Sequence, residues 1–352
     1  MRTELFDFHL PREAVAVRPA VQRDGGRVLV VERDGTQDSS VRDWPHLVPA
    51  GSLVVLNDTR VFKARLLGRR RESGGRVELL LLEPVTSGQR RGQEVWQALG
   101  RANKPLRTGC RLDFGACSAT VIDRAEDGTL TVALSTSGPL EAALATDGHV
   151  PLPPYLSRED EPEDVERYQT VYAKNTGSVA APTAGLHLTE GLLSRLRERG
   201  VEVEAITLHV GIGTFRPVSV DDLNDHGMHS ERLTVGLPLV QAVERARQRG
   251  TGVVAVGTTV VRALESAADP QRPGHVREIC GRTDLMIQPG YRFQVVDAML
   301  TNFHLPKSTL VALVAAFAGR QRVLDAYETA LRRGYRFLSY GDAMWLPHRL
   351  EG

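Results

Sequence analysis

The sequence predicts an α/β protein that carries a second, all-β part, and three observations predict it. From Arg27 to about Leu134 the chain reads as short strands separated by Gly-rich turns with no convincing helix among them, the pattern of a small barrel or sandwich. After the proline cluster His149-Val150-Pro151-Leu152-Pro153-Pro154, strands alternate with helices, which argues for a largely parallel α/β sheet. A length of 352 residues exceeds the size at which one hydrophobic core usually keeps growing, so two domains are expected.

Each element has its own reason. Arg27 to Val31 precedes a turn at Arg33-Asp34-Gly35, Ser52 to Leu56 is a buried run, and Arg76 to Leu82 follows Gly74-Gly75. Shorter strands are expected at Glu94 to Leu99, Arg111 to Phe114, Ala119 to Ile122 and Thr129 to Leu134. The proline cluster reads as a rigid crossing, because proline fixes φ and removes a donor. Beyond it, helical spacing covers Leu192 to Arg199, Leu239 to Arg249 and Val323 to Arg333. Each stops at a glycine (Gly200, Gly250, Gly334) and closes on basic residues, which the helix dipole favours. Val201 to Leu208 and Val253 to Val256 read as strands, the second leading into a helix from Thr258 to Ala267. The apolar run Ser308 to Gly319, bounded by Lys307 and Arg320, falls short of the roughly 20 residues that span a bilayer and reads as a buried helix.

Composition excludes several classes. Hydrophobic residues at 41% and charged residues at 25% match folded soluble chains and not disordered ones. Cys110, Cys117 and Cys280 form no close pair and read as reduced thiols of a cytosolic protein. The stretch Met1 to Pro19 has no basic region followed by an apolar one, so no signal peptide is expected, and a cytoplasmic protein that is neither secreted nor membrane-spanning follows. Net charge is +1, but Arg60 to Arg124 holds 14 Lys+Arg against 6 Asp+Glu, while the remainder holds 30 against 37. A basic segment in an acidic chain suggests a polyanion partner. The plainer alternative is that Arg69, Arg70, Arg71, Arg90 and Arg91 solubilise loop tips.

Five blocks carry polar chemistry. Ala181-Pro182-Thr183-Ala184-Gly185 cannot be a regular helix and delivers His187 ahead of a helix start at Thr189, where backbone can approach a ligand. His209-Val210-Gly211-Ile212-Gly213-Thr214-Phe215 follows a strand; lacking a third glycine, it is a weak dinucleotide signal but a reasonable crevice loop, with Phe215 stacking on a base or sitting in the core. His226, His229 and Glu231, with His209 or His187, could hold a metal, though solvated loop histidines fit the spacing better. Gly257-Thr258-Thr259 opens a helix whose free N–H groups suit a carboxylate, ribose or phosphate, and Arg262 and Glu265 are spaced to pair with each other. Thr301 to Thr309 is a polar cluster between apolar runs.

These blocks, with Phe6 to Pro11, Leu56 to Val61 and Tyr335 to Met344, resemble the S-adenosylmethionine:tRNA ribosyltransferase-isomerase family of queuosine biosynthesis over essentially the whole chain. Two positions depart from the family pattern: Leu188 where an aromatic is common, and Gly25-Gly26 where a serine precedes Arg27. The resemblance implies a discontinuous α/β main domain, residues 1–59 and 149–352, interrupted by a small antiparallel β-barrel, residues 60–148. It implies transfer and isomerisation of the ribosyl moiety of S-adenosylmethionine onto 7-aminomethyl-7-deazaguanine in tRNA, giving epoxyqueuosine-tRNA, adenine and methionine. The sulfonium acidifies the adjacent ribose carbon, so a positioned base starts the reaction, with no metal and no cofactor beyond the consumed donor. His187 or His304 is then expected to move the proton, with Asp342 or Glu231 as orienter. His209, Gly211, Gly213, Thr214 and Phe215 are expected on the donor, and Thr258, Thr259 and Arg262 on its methionine carboxylate. Asn57, Asp58, Arg60, Thr183, Asn302, Lys63 and Arg65 are expected on the tRNA substrate, with the protein a monomer. The rival readings are a metal-dependent hydrolase of nucleic acid using His209, His226, His229 and Glu231, a non-catalytic RNA-binding protein, and a methyltransferase, whose glycine-rich opening is missing.

Overall fold

The computed structural model describes residues 1–85, 93–211, 213 and 218–350. In chain order its strands are β1 (Arg27–Glu32), β2 (Gly35–Ser40), β3 (Leu53–Asn57), β4 (Thr59–Val61), β5 (Arg65–Arg70), β6 (Arg76–Pro84), β7 (Glu94–Ala102), β8 (Arg111–Asp113), β9 (Cys117–Arg124), β10 (Leu130–Thr136), β11 (Gly148–His149), β12 (Asn175–Ser178), β13 (Glu202–Leu208), β14 (Glu231–Val235), β15 (Val253–Val256), β16 (Ile279–Thr283), β17 (Ala298–Asn302) and β18 (Ala343–Leu346). The α-helices are α1 (Trp44–Leu47), α2 (Leu140–Asp147), α3 (Asp164–Arg167), α4 (Glu190–Glu198), α5 (Leu237–Gln248), α6 (Thr258–Ser266), α7 (Thr309–Ala318) and α8 (Arg320–Arg332).

The main sheet runs β16-β14-β13-β3-β15-β17-β18-β1-β2. The four central strands β13, β3, β15 and β17 are parallel neighbours, as is the pair β18 and β1. The remaining neighbours are antiparallel, so the sheet is mixed where the sequence predicts a largely parallel one. The cause is connectivity. Two consecutive helices, α7 and α8, return the chain to the end of the sheet where β17 stops, so β18 must run the other way; a short β1–β2 hairpin adds one edge, and β14 and β16 join the other antiparallel through long connections.

Strand β3 is buried along its whole length because both faces are covered. Leu53 and Val55 enter a layer with Leu239 and Val243 of α5 and Val260 and Val261 of α6; Val54 and Leu56 enter another with Leu192 and Leu196 of α4, Trp44 and Trp345. Helices α4, α5 and α8 end as expected, with Gly200, Gly250 and Gly334 at φ 74, 69 and 68°. In each, the glycine N–H and the next residue's N–H return to carbonyls of the last turn.

The second sheet closes on itself as a six-stranded antiparallel barrel, β5-β6-β7-β10-β9-β8, with β8 pairing back to β5. Leu66, Leu79, Leu112, Val121 and Val132 fill it, and Leu140 and Leu144 of α2 pack against that core. The sequence reading leaves out β5, whose arginines mask it, the polar edge strand β2, the short β4 and β11, and the later strands β12, β14, β16, β17 and β18. Gly68 permits the closure: a Cβ there would strike the Asp113 carbonyl and the Phe114 ring.

Where β3 ends, Asn57 is fully buried. Its Oδ1 accepts the N–H groups of Leu208 (3.0 Å) and Thr59 (3.2 Å), and its Nδ2 donates to the Leu208 carbonyl at 2.9 Å. Asn57→Ala strands these groups without water, so we expect a loss on the order of 3 kcal/mol in urea unfolding.

Candidate active site

A cavity of about 280 Å³ opens at the carboxyl edge of β15 and β17, where open α/β sheets place ligands. Ala181 to Ala184, Gly257 to Thr259, Thr301 to Pro306, and Leu338 and Ser339 line it, with Tyr155. Each segment has a local reason to be there. Thr183–His187 is a 3-10 helix, the tight alternative open to a small-residue run that cannot continue as α. Gly257 takes φ 94° between β15 and α6, leaving Thr258 and Thr259 at the helix N-terminus. The N-terminal segment braces the far wall. Phe8 meets Tyr327 edge-on at 5.1 Å, Phe303 stacks on Phe337 at 4.7 Å, and the Lys307 N–H donates to the Phe6 carbonyl at 3.0 Å. Leu338 is held at φ 72°, a strained value for a branched side chain; its N–H donates to the Phe303 carbonyl, and its carbonyl accepts Asn302 Nδ2 at 3.0 Å.

Among the described residues, His304 and Tyr155 are the titratable side chains lining this cavity, and no carboxylate does. His304 Nε2 lies 2.9 Å from Thr301 Oγ1, and burial pushes its pKa down to about 3. Tyr155 OH lies 2.5 Å from Ser339 Oγ, and burial raises it to about 12. Two buried oxygens on the lining, Asn302 Oδ1 and Thr259 Oγ1, have no partner.

His187 stands behind this lining, beside Gly26, its Nε2 3.3 Å from Asn302 Nδ2. Burial lowers its pKa to about 4, with Asp342 opposing and Arg336 and Arg23 adding. Asp342 is a loop tie, accepting the N–H groups of Arg27 (2.9 Å) and Arg336 (2.8 Å).

A second cavity of about 240 Å³ lies between the barrel and the sheet and takes in His209, Gly211, Gly213, His229 and Glu231. Glu231 is 5% exposed; it accepts the Gly211 N–H at 3.0 Å and the Arg262 guanidinium. Arg262 also donates to the Leu285 carbonyl at 3.0 Å, and its ion partner is Glu231 instead of the Glu265 that helical spacing offers. Glu265 accepts the N–H groups of Gln294, Val295 and Val296. His209 Nδ1 lies 2.8 Å from Thr59 Oγ1, and burial, then Arg232, lower its pKa to about 4. Thr214 and Phe215 lie outside the described residues.

A third, open groove of about 680 Å³ includes Arg60 and Lys63, with Phe62 and Trp96 ring centroids 5.7 Å apart. Asp58 accepts Thr207 Oγ1 (2.6 Å) and Asn175 Nδ2 and, like the buried Asn57, sits in none of these cavities. Arg65 is paired with Glu78 at 2.8 Å. Among the described residues no group of three or more His, Cys, Asp or Glu side chains is placed to hold a metal, and nothing supports the hydrolase reading. The sequence reading missed Tyr155, Val210, Leu338 and Ser339. Val210, Leu338 and Ser339 fall inside recognised blocks, whereas Tyr155 directly follows the proline crossing with no local signal.

The model of a family described as "Queuosine biosynthesis protein" matches residues 3–346. A Sorangium cellulosum protein named S-adenosylmethionine:tRNA ribosyltransferase-isomerase is 54% identical, covering 98% of each chain. An Anaeromyxobacter dehalogenans protein of the same name is 51% identical over 99% of this chain and 100% of its own. The crystal structure of the S-adenosylmethionine tRNA ribosyltransferase from Thermotoga maritima is similar with a TM-score of 0.55 at 34% identity, covering 97% of this chain and 99% of that one.

The histidines set a pH dependence. His187 and His209 are held near 4 and His304 near 3, against an ordinary 6.5, so the fold binds them neutral. Their contribution to stability is complete above pH 6.5 and is lost as pH falls toward 4 to 3. Melting temperature should therefore drop on acidification below pH 6.5, and His304→Asn should shallow that drop; equal slopes would refute it.

Proposed function

The chain belongs to the queuosine biosynthesis protein family, and we propose that it transfers and isomerises the ribosyl moiety of S-adenosylmethionine onto 7-aminomethyl-7-deazaguanine in tRNA, yielding epoxyqueuosine-tRNA, adenine and methionine. One observation carries the reading: four family-like blocks far apart in sequence, at Ala180 to His187, Val256 to Glu265, Thr301 to Leu310 and Tyr335 to Met344, meet on the inner cavity.

The donor occupies that cavity. The N-terminus of α6, with Thr258 and Thr259, receives the methionine carboxylate. The orphaned Asn302 Oδ1 accepts from the nucleoside part, and His187 behind it fixes the amide. His304 takes the proton from the ribose carbon beside the sulfonium. Its low pKa reflects the cost of a buried cation. The donor brings a positive charge into the cavity already, and proton transfer only moves it onto the imidazole, so that cost is not added again.

The tRNA lies along the groove between barrel and sheet, where Phe62 and Trp96 offer stacking faces beside Arg60 and Lys63, a combination suited to single-stranded RNA. In this proposal residues 1–59 and 149–352 are the catalytic unit and 60–148 the inserted barrel, and the enzyme works as a monomer in the cytoplasm. Among the described residues no helix is long and apolar enough to cross a membrane.

Two tests follow from these placements. Asn302→Ala and Thr259→Val should each weaken S-adenosylmethionine binding by about 1 kcal/mol in titration calorimetry, and unchanged affinity would move the donor elsewhere. Arg71 is neutralised by Asp113, whereas Lys63 and Arg70 bond backbone carbonyls and keep an uncompensated charge. Lys63→Ala and Arg70→Ala should therefore flatten the salt dependence of tRNA binding by about 0.7 to 0.9 each, and Arg71→Ala should not.

A further inference from the structure

Three cavities adjoin one another through shared lining residues. The inner cavity and the second chamber are both walled by Val210, and the chamber shares Gly177 and Arg232 with the outer groove. The barrel forms one side of the chamber, through Leu82, Gln97 and Leu99, and the sheet the other, through Gly211 and Glu231. The proposed reaction joins a small donor to one base of a long polymer. That base must turn out of the groove that tracks the backbone and reach the donor. We propose that the middle chamber is the acceptor-base subsite and that Glu231 reads the base, an inference that rests on the ribosyl-transfer reading above.

Glu231 has the geometry for this. Its carboxylate is held from behind by the Gly211 N–H at 3.0 Å and by Arg262, itself anchored on the Leu285 carbonyl. A carboxylate has about four acceptor positions, so two remain. A guanine-type base offers a matching pair of donors, its ring N–H and its exocyclic amine, on the edge that distinguishes it from adenine. The His209 ring, fixed by Thr59 Oγ1, adds a flat face in the same chamber. The outer groove is open and charged, and the inner cavity is filled by the donor, which leaves the chamber between them for the base.

The test uses the full chain, S-adenosylmethionine and tRNA carrying the aminomethyl base, with adenine release as the readout. Leu99→Trp fills the chamber from the barrel wall without touching Glu231 or Arg262. It should abolish adenine release while donor affinity, measured by calorimetry, stays at the wild-type value, which also shows that the variant is folded. Glu231→Gln, which replaces one acceptor oxygen by a donor and also weakens the tie to Arg262, should lower kcat/KM for tRNA by about 10- to 100-fold, a loss larger than any change in donor affinity. Full turnover by Leu99→Trp, or a Glu231→Gln defect confined to donor affinity, would overturn the assignment. If the wild-type protein itself releases no adenine, the ribosyl-transfer reading has failed; if it does and Leu99→Trp matches it, only the chamber assignment falls.

Discussion

The edge at which β13, β3, β15 and β17 stop imposes one constraint on everything around it: backbone groups released from the ladder there are buried, and each needs a partner. The chain answers with short polar side chains at the strand ends. Asn57 closes β3 onto Leu208, and Ser178 Oγ accepts the Val210 N–H at 2.8 Å while lying 2.7 Å from the Ala180 carbonyl. At the end of β17, Asn302 Nδ2 reaches the Leu338 carbonyl and so fixes a strained residue against the cavity. The same amide leaves Oδ1 without a partner. A single side chain on the cavity lining thus satisfies the fold and keeps one buried oxygen unpartnered.

The buried ion pair between Arg262 and Glu231 works on a longer scale. Arg262 belongs to α6, whose first residues line the inner cavity, while Glu231 begins β14 and lines the chamber beside the barrel. With side chains 7% and 5% exposed, the pair contributes little net stability, yet removal of either partner would strand a buried charge. What it secures is relative position: α6, through Arg262, and the Gly211 backbone are tied to the same carboxylate.

Much of this was legible in the sequence, and what was not has identifiable causes. Helix ends at Gly200, Gly250 and Gly334 and the buried run of β3 follow from local rules that tertiary packing did not overrule. Strand direction did not follow, because two helices between β17 and β18 read like any other crossover but reverse the outcome. The inner cavity's blocks were visible as polar clusters, since nothing in their own packing asks for Thr259 or Asn302. Arg262's ion partner was not legible, because helical spacing offers Glu265 and only the tertiary fold brings Glu231 of β14 close. His187 illustrates the same limit, for the sequence shows a histidine in a block and not that it stands behind Asn302.

The absence of Asp and Glu from the described lining of the inner cavity bears on how the proposed chemistry would gain speed. A carboxylate beside a sulfonium would stabilise the bound donor most while its charge is intact. Deprotonation at the adjacent carbon spreads that charge toward the base, so such a contact would weaken as the reaction advances and deepen the ground state more than the transition state. In the proposed placement, the hydroxyl and amide oxygens of Thr259 and Asn302 would hold the donor by shape and hydrogen bonds without fixing the charge. In that proposal His304, its pKa lowered by burial and its Nε2 close to Thr301 Oγ1, would be the place among the described lining residues where a positive charge moves by proton transfer, so that an uncharged cavity suits a cationic donor.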